Sequence, residues 1–383
     1  MTTPAVLRAA VALAAAALAV VGCSSEDAQP SAPTTELAAT SSTATKTTVD
    51  LPSGVRVLHA WRLPADVAPN PNGAHSSSRH AFFGVAIPAL TDGGAIDPDA
   101  RTRYAVLDLT SGDLELRPTT DPGAISDQAV FVTEGEIDHL VRLEIQPRPA
   151  DECTGDDPDQ CWTWQLRAET ADDGAGEQLA KAASPGSPFA IPQPITTGGE
   201  VVWLEISDPS TALATMRAWR PGGAPRTVAS NLPAGRLTAD RQSVWITPDD
   251  PHRAEAVKVA LKGGATTTLT LPKDSQMAVP AGDQIAYVVD RESSSSARLV
   301  LAPTTEPARG RTVLTAPSLF QVISAGPGTV VASTDRGYEL VGAVSGTLPL
   351  DSLTGVQRDQ NRLNLLIGPT DAPNTVAVVT LSP

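Results

Sequence analysis

The sequence predicts an all-β fold: a seven-bladed β-propeller of four-stranded antiparallel blades, its ring closed by an N-terminal strand. Three observations predict it. First, a turn followed by a short apolar run keeps returning, as Ser126–Val132, Gly198–Leu204, Asp240–Ile246, Gly282–Val288, Gly326–Ala332 and, loosely, Asn361–Ile367. Second, a hairpin with a Gly-bearing turn alternates with it, as Tyr104–Leu116, Met216–Val228, Val257–Leu271, Leu299–Leu314 and Glu339–Leu350, with a weaker copy over Trp164–Leu179. Third, 29 Gly and 34 Pro in 383 residues leave little room for long helices and suit many short strands.

The two hairpins together make a unit of about four strands. The apolar centres Trp203, Trp245, Tyr287 and Val331 are 42, 42 and 44 residues apart, a period that describes propeller blades. Adding Phe83, Phe131 and Leu366 gives seven centres. The 72-residue gap between Phe131 and Trp203 is read as one blade with a long internal loop around Asp151–Cys161. The last unit is a strand short, with only Thr375–Leu381 left after Leu363–Ile367. The partnerless run Val55–Trp61 is expected to supply its outer strand, removing the open edges of an unclosed ring. The triplets Ala60-Trp61-Arg62 and Ala218-Trp219-Arg220 are read as equivalent strands, each Trp wedged between blades.

The N-terminus reads as a targeting segment. Arg8 precedes the apolar run Ala9–Val21, which is too short to span a bilayer as a helix and suits a signal peptide. Val20-Val21-Gly22-Cys23 resembles the lipobox of bacterial lipoproteins. The resemblance implies cleavage after Gly22 and acylation of Cys23, palmitate-type chains holding the protein to the cell membrane. Ser/Thr/Ala/Pro-rich residues 24–48 bury too little apolar surface to fold alone and read as a disordered tether. The expected organisation is a signal peptide over 1–22, anchor and tether over 23–50 and the propeller over 51–383. The composition and the lipobox suit a high-GC Gram-positive bacterium, with the domain on the extracytoplasmic face.

The remaining cysteines, Cys153 and Cys161, then form a pair in a disulfide-permissive compartment. They bracket an acidic loop with Asp156, Asp157 and Asp159, followed by Trp162. A second departure from the repeat, Pro69–Arg103, reads as an insertion carrying His75, Arg79 and His80 in a solvated Ser-rich loop. These seven residues are the candidate partner-binding positions. No metal set, cofactor motif or catalytic signature is read in the sequence, which has no Gly-x-Ser-x-Gly elbow, His-Glu-x-x-His helix or phosphate-binding glycine loop. A net charge of −15 sets nucleic acid aside as a partner.

Two family resemblances complete the reading. Ser333–Leu340 resembles the Asp-box of sialidase-like propellers, with Leu340 in place of the aromatic. The repeat over 55–383 is similar to that of TolB-like and related extracytoplasmic propellers, which implies binding or scaffolding more often than catalysis. The expected function is a membrane-anchored binding module for an envelope protein or a wall glycan. The alternative is a hydrolase or lyase acting on an envelope polysaccharide, which would gather carboxylates and an Arg at one mouth of the axial channel.

Overall fold

A computed structural model describes residues 39–65, 67, 69–85, 102–121, 124–147, 162–174, 176–183, 191–208, 212–240, 242–248, 253–289, 296–349, 355–359, 362–367 and 374–381. The chain opens with two short strands, β1 (Thr40–Thr43) and β2 (Thr45–Lys46), and the longer β3 (Val55–Arg62). Blade 1 follows as β4 (Pro69–Ser76), β5 (His80–Val85), β6 (Arg103–Asp108) and β7 (Asp113–Pro118). Blade 2 is β8 (Ile125–Glu134), β9 (Ile137–Pro147), β10 (Trp162–Thr170) and β11 (Gly176–Ala183). Blade 3 is β12 (Ile195–Thr197), β13 (Glu200–Asp208), β14 (Leu213–Trp219) and β15 (Arg226–Pro233). Blade 4 is β16 (Gly235–Ala239), β17 (Ser243–Pro248), β18 (Glu255–Ala260) and β19 (Thr266–Thr270). Blade 5 is β20 (Ser275–Ala281), β21 (Gln284–Val289), β22 (Ala297–Pro303) and β23 (Arg311–Ala316). Blade 6 is β24 (Leu319–Gly326), β25 (Thr329–Thr334), β26 (Gly337–Gly342) and β27 (Gly346–Thr347). Blade 7 is β28 (Gly355–Asp359), β29 (Arg362–Ile367) and β30 (Thr375–Leu381), completed by β3.

The expected closure is therefore present: β3 pairs antiparallel with β30, from Val55 opposite Leu381 to Arg62 opposite Thr375. The inner strands β4, β8, β12, β16, β20, β24 and β28 touch one another in sequence around the ring, and β28 returns to β4. They surround the axis.

Seven apolar clusters fill the seven junctions, and strand periodicity explains how one strand serves two of them. Successive residues of a strand point to opposite faces. In β13, Val201 and Trp203 join blade 2's cluster, whereas Val202 and Leu204 join blade 4's. In β21, Ile285, Tyr287 and Val289 face blade 4, and Ala286 and Val288 face blade 6. Both faces are buried, so these strands read as unbroken apolar runs rather than alternating ones. Trp203 is fully buried at the junction of blades 2 and 3, where Trp164 and Trp219 also pack.

Four expectations change. Residues 69–103 are not an insertion, because β4 and β5 lie within them as the inner half of blade 1. Phe131 belongs to the inner strand β8, not to a second strand like the other centres. Ala129 and Phe131 face blade 1 while Val130 and Val132 face blade 3, so an inner strand here carries the same apolar run. Trp61 and Trp219 are wedged between blades, but on non-equivalent strands: Trp61 lies on the fourth strand of blade 7, Trp219 on the third of blade 3. Finally, the tether expected over 24–48 is ordered from its later part onward. β1 adds to β7 of blade 1, and β2 adds to β3 of blade 7.

That N-terminal strap seals the seam where the ring closes. Ala44, buried between the two short strands, donates its amide to the Gly112 carbonyl at 2.8 Å. Trp61 Nε1 donates to the Leu109 carbonyl at 3.2 Å across the same seam. Gly112 has φ +83°, and a Cβ there would stand 2.5 Å from the Trp61 ring. Thr-rich polarity hid the strap from the sequence, since its contribution is backbone pairing along an edge, not apolar burial.

Candidate functional site: a fastened junction and an open mouth

Among the described residues, two gatherings of polar groups stand apart from the smaller clusters at Glu200 and Asp240. The first is the junction of blades 1 and 2, which has a small apolar cluster built on Phe82, Tyr104, Phe131 and Leu140. His75 and His80, read in the sequence as solvated, are 3% and 4% exposed. The His80 ring places Nδ1 2.8 Å from Asp138 Oδ2 and Nε2 3.3 Å from Asp172 Oδ1, bridging blade 1 to two turns of blade 2. The fully buried Asp138 also accepts hydrogen bonds from Ser77 Oγ and, at 2.7 Å, from Thr133 Oγ1. Burial pushes the Asp138 carboxyl up, and the hydrogen bonds from His80, Ser77 and Thr133 more than reverse it, holding it below the ordinary Asp range.

Ser, His and Asp together invite a nucleophile reading, which the geometry answers. In a catalytic triad the hydroxyl faces the imidazole and the carboxylate lies on the far side. Here Ser77 Oγ gives its proton to Asp138 and accepts from the backbone amides of Arg79 and His80 at 3.0 and 2.8 Å. Every capacity of the hydroxyl is committed to the turn and to blade 2. The constellation is a clasp.

Further out, the same junction holds a buried ion network. Glu169 accepts Tyr104 Oη at 2.8 Å, Arg142 Nε at 3.0 Å and Arg117 Nη1 at 3.2 Å. Arg142 also pairs with Glu144 and lies 4.4 Å over the Tyr104 ring. Glu144 takes the Thr120 amide at 2.8 Å and Gln165 Nε2 at 2.6 Å. Burial pushes the Tyr104 phenol well above its ordinary value. Burial works against the Arg142 cation, but Tyr104, Glu144 and Glu169 overcome it and hold the guanidinium charged. A shallow groove beside blade 2, with water-sized room only, reaches this network at Glu144 and Gln165, whose groups are already paired.

The second place is one mouth of the axis. Antiparallel order puts the links between first and second strands, and between third and fourth, on one face. On this turn face lie the short connections 135–136, 198–199, 282–283 and 327–328. The links between second and third strands, and between blades, share the other face. It receives the longer connections 86–102, 148–161, 184–194 and 290–296 and is called the loop face. Four inner strands lose regular pairing toward their loop-face ends, β4 among them between Asn70 and His75. β8 shifts register between Ser126 and Gln128, β20 between Gln276 and Val279, and β24 between Leu319 and Gln321. Such bulges re-aim side chains and recur next to binding sites. In β20 the bulge holds Met277 at φ +53°, an uncommon conformation for a side chain of this size.

The β24 bulge has a visible result. Leu319 and Val322 both enter the cluster shared with blade 5 although they are three residues apart, which a regular strand forbids. Between them Phe320 and Gln321 are turned out, and Phe320 is 53% exposed. An inner strand has a blade on each face, so an exposed side chain on it opens to the axis or its rim. Gln128 and Gln276 are half-buried at the same end of β8 and β20, and Arg236 is exposed at the start of β16.

The seven predicted binding residues do not form one surface. His75 and His80 are inside the clasp. Arg79 is exposed in the β4–β5 turn, with Nη1 donating to the Glu136 carbonyl at 2.6 Å, so it lies on the turn face. Trp162 begins β10 at the loop face and is half-buried. Cys153, Asp156, Asp157, Asp159 and Cys161 lie outside the described residues, as does Cys23. Among the described residues, no three His, Cys, Asp or Glu side chains gather in a metal-ligating group. The Ser333–Leu340 turn is present between β25 and β26. It is fastened by Thr334, whose Oγ1 accepts the Arg336 amide and donates to the Gly337 carbonyl, both at 3.1 Å. Sequence reasoning missed Phe320 because one aromatic beside a leucine looks like core. The signal that finds it is the broken alternation Leu-Phe-Gln-Val.

No family profile matches the chain, and no curated protein sequence matches it significantly. Solved structures do resemble it in shape. An oligogalacturonate lyase in complex with manganese superposes with a TM-score of 0.54 at 11% identity, covering 90% of this chain and 98% of the lyase. A second oligogalacturonate lyase, from Vibrio parahaemolyticus, gives 0.48 at 10% identity over 89% and 98%. A chain of the mitotic checkpoint complex gives 0.49 at 9% over 88% and 98%. At 11% identity the likeness to the manganese-bound lyase is one of fold alone, and it agrees with the seven sheets: this chain is a seven-bladed β-propeller.

Proposed function

We propose that this protein is a lipid-anchored, extracytoplasmic propeller that binds a partner of the cell envelope at the loop-face mouth of its axis. The observation that carries the binding half is the bulge at the loop-face start of β24, beside the bulged β20, which turns Phe320 and Gln321 out of the packed ring. The polar clusters elsewhere that resemble chemical machinery have their hydrogen bonds committed between blades 1 and 2. The anchoring half rests on the lipobox resemblance at Val20–Cys23 behind the apolar run Ala9–Val21. Two acyl chains on Cys23 would give stable membrane attachment where one is marginal. The 15 residues from 24 to 38 reach at most about 50–54 Å even fully extended, which keeps the strap and the propeller close to the bilayer.

Labelled palmitate and a Cys23→Ala variant test the anchor. The expected result is label on the wild-type chain only, and release of the variant into the soluble fraction. Label on both chains, or on neither, would overturn it.

A further inference from the structure

We propose that the loop-face mouth is a site for a neutral, hydroxyl-rich sugar chain, with Phe320 as its stacking surface and the amides of Gln276 and Gln321 as its hydrogen-bonding groups. This rests on the reading of the mouth as the binding surface and names the ligand class.

Three observations lead to it. Phe320 and Ile137 are the large apolar side chains left exposed among the described residues, at 53% and 49%, and they sit at opposite ends of the ring. A lone aromatic open to water at the end of an inner strand offers a flat face with a negative quadrupole. The C–H face of a pyranose ring, polarised positive, lies well against such a surface. The second observation is the amides. Gln128, Gln276 and Gln321 occur one to a strand near the loop-face ends of β8, β20 and β24. No side-chain hydrogen bond commits Gln128, Gln276 or Gln321 among the described residues. An amide donates through nitrogen and accepts through oxygen, which is what a vicinal diol requires.

The third observation is charge. Arg236, at the loop-face start of β16, and Lys273 and Asp274, just ahead of β20, are exposed charged side chains described near this end of the ring, with a net charge of +1. The whole chain carries −15, which repels a polyanion and leaves a neutral chain unaffected. A neutral chain is accordingly favoured over an acidic one at long range. The bulges complete the case: Met277, in its left-handed conformation, belongs to the strand packed beside β24, so two neighbouring inner strands depart from regular pairing at this rim.

The test is titration of the full-length protein in detergent with fluorescent tetramers of glucose, mannose, galactose and N-acetylglucosamine, and with a galacturonate tetramer as the acidic probe. The expected result is saturable binding of at least one neutral tetramer and none of the acidic one. Phe320→Ala should weaken that binding at least about ten-fold, Gln321→Ala about three-fold, and Ile137→Ala less than about two-fold. Failure of all four neutral probes overturns the proposal, as does stronger binding of galacturonate or an equal loss in Phe320→Ala and Ile137→Ala. Capture of an envelope protein through the mouth with no sugar bound also overturns the ligand class, while leaving the partner-binding reading in place. Loss of anchoring in the palmitate experiment bears on neither.

Discussion

The junction of blades 1 and 2 and the loop-face mouth are both rich in polar groups, and they differ in where the hydrogen bonds go. At the junction, Ser77, His80, Asp138, Arg142 and Glu169 spend their polar atoms on one another across two blades. At the mouth, no side-chain hydrogen bond among the described residues engages the exposed Gln321 or the half-buried Gln276. A buried polar group without a partner costs about 1–3 kcal/mol, so those that persist inside a fold are the ones it has paired. An amide facing water loses nothing by exchanging that water for a ligand. Commitment, more than residue type, separates architecture from recognition here, and it turns a Ser–His–Asp cluster into a fastener and a Phe–Gln pair into a candidate site.

Substitutions on the two sides should therefore dissociate. The largest effect belongs to Glu169→Ala, which leaves Arg142 and the Tyr104 hydroxyl facing a buried void. The expected loss is about 3–5 kcal/mol in urea unfolding, with binding by the remaining folded protein unchanged. A loss below about 1 kcal/mol would mean that the network is not structural. Deleting residues 40–46 removes the strap and reopens the edges of β7 and β3. The expected cost is about 1–3 kcal/mol, since backbone pairing gained is partly offset by ordering entropy. Unchanged melting would contradict the seam.

Acid should act on the clasp by a smaller amount. Asp138 is held below its ordinary value when folded, so its stabilising contribution is present above the unfolded value of about 3.9 and fades as pH falls through the lower folded value. Wild type should accordingly lose stability faster than Asp138→Asn below about pH 4. Parallel pH profiles would remove Asp138 from the account. The smallest effect is expected of Phe320→Ala, within about 0.5 kcal/mol of wild type, because the ring is half in water already. A large loss would make Phe320 part of the core.

The ring was legible because propeller strands bury both faces, and runs such as Val201–Leu204 and Ile285–Val289 repeat that requirement at a fixed interval. The closing strand was legible as a deficit, one strand missing at the end and one unpartnered at the start. The polar pieces were not. β4 reads Pro-Asn-Pro-Asn-Gly-Ala-His-Ser, without apolar alternation, and so looks like a loop. The long side of the repeat was misassigned for a related reason: in blade 2 the inner strand itself carries the apolar run. His80 and Asp138 lie far apart in sequence, and only the packing of two blades reveals that they meet. The mouth depends on single-residue bulges, which leave no periodic trace beyond one broken alternation.

The most direct measurement places a photo-crosslinking residue at position 321 in one strain and at position 137 in another, and irradiates intact cells. Both positions are exposed and lie on opposite faces, so each controls for the other. Recognition at the loop-face mouth predicts a discrete adduct from position 321 that disappears with Phe320→Ala, and none from position 137. An adduct from position 137 alone, or one from 321 that persists without Phe320, would contradict it.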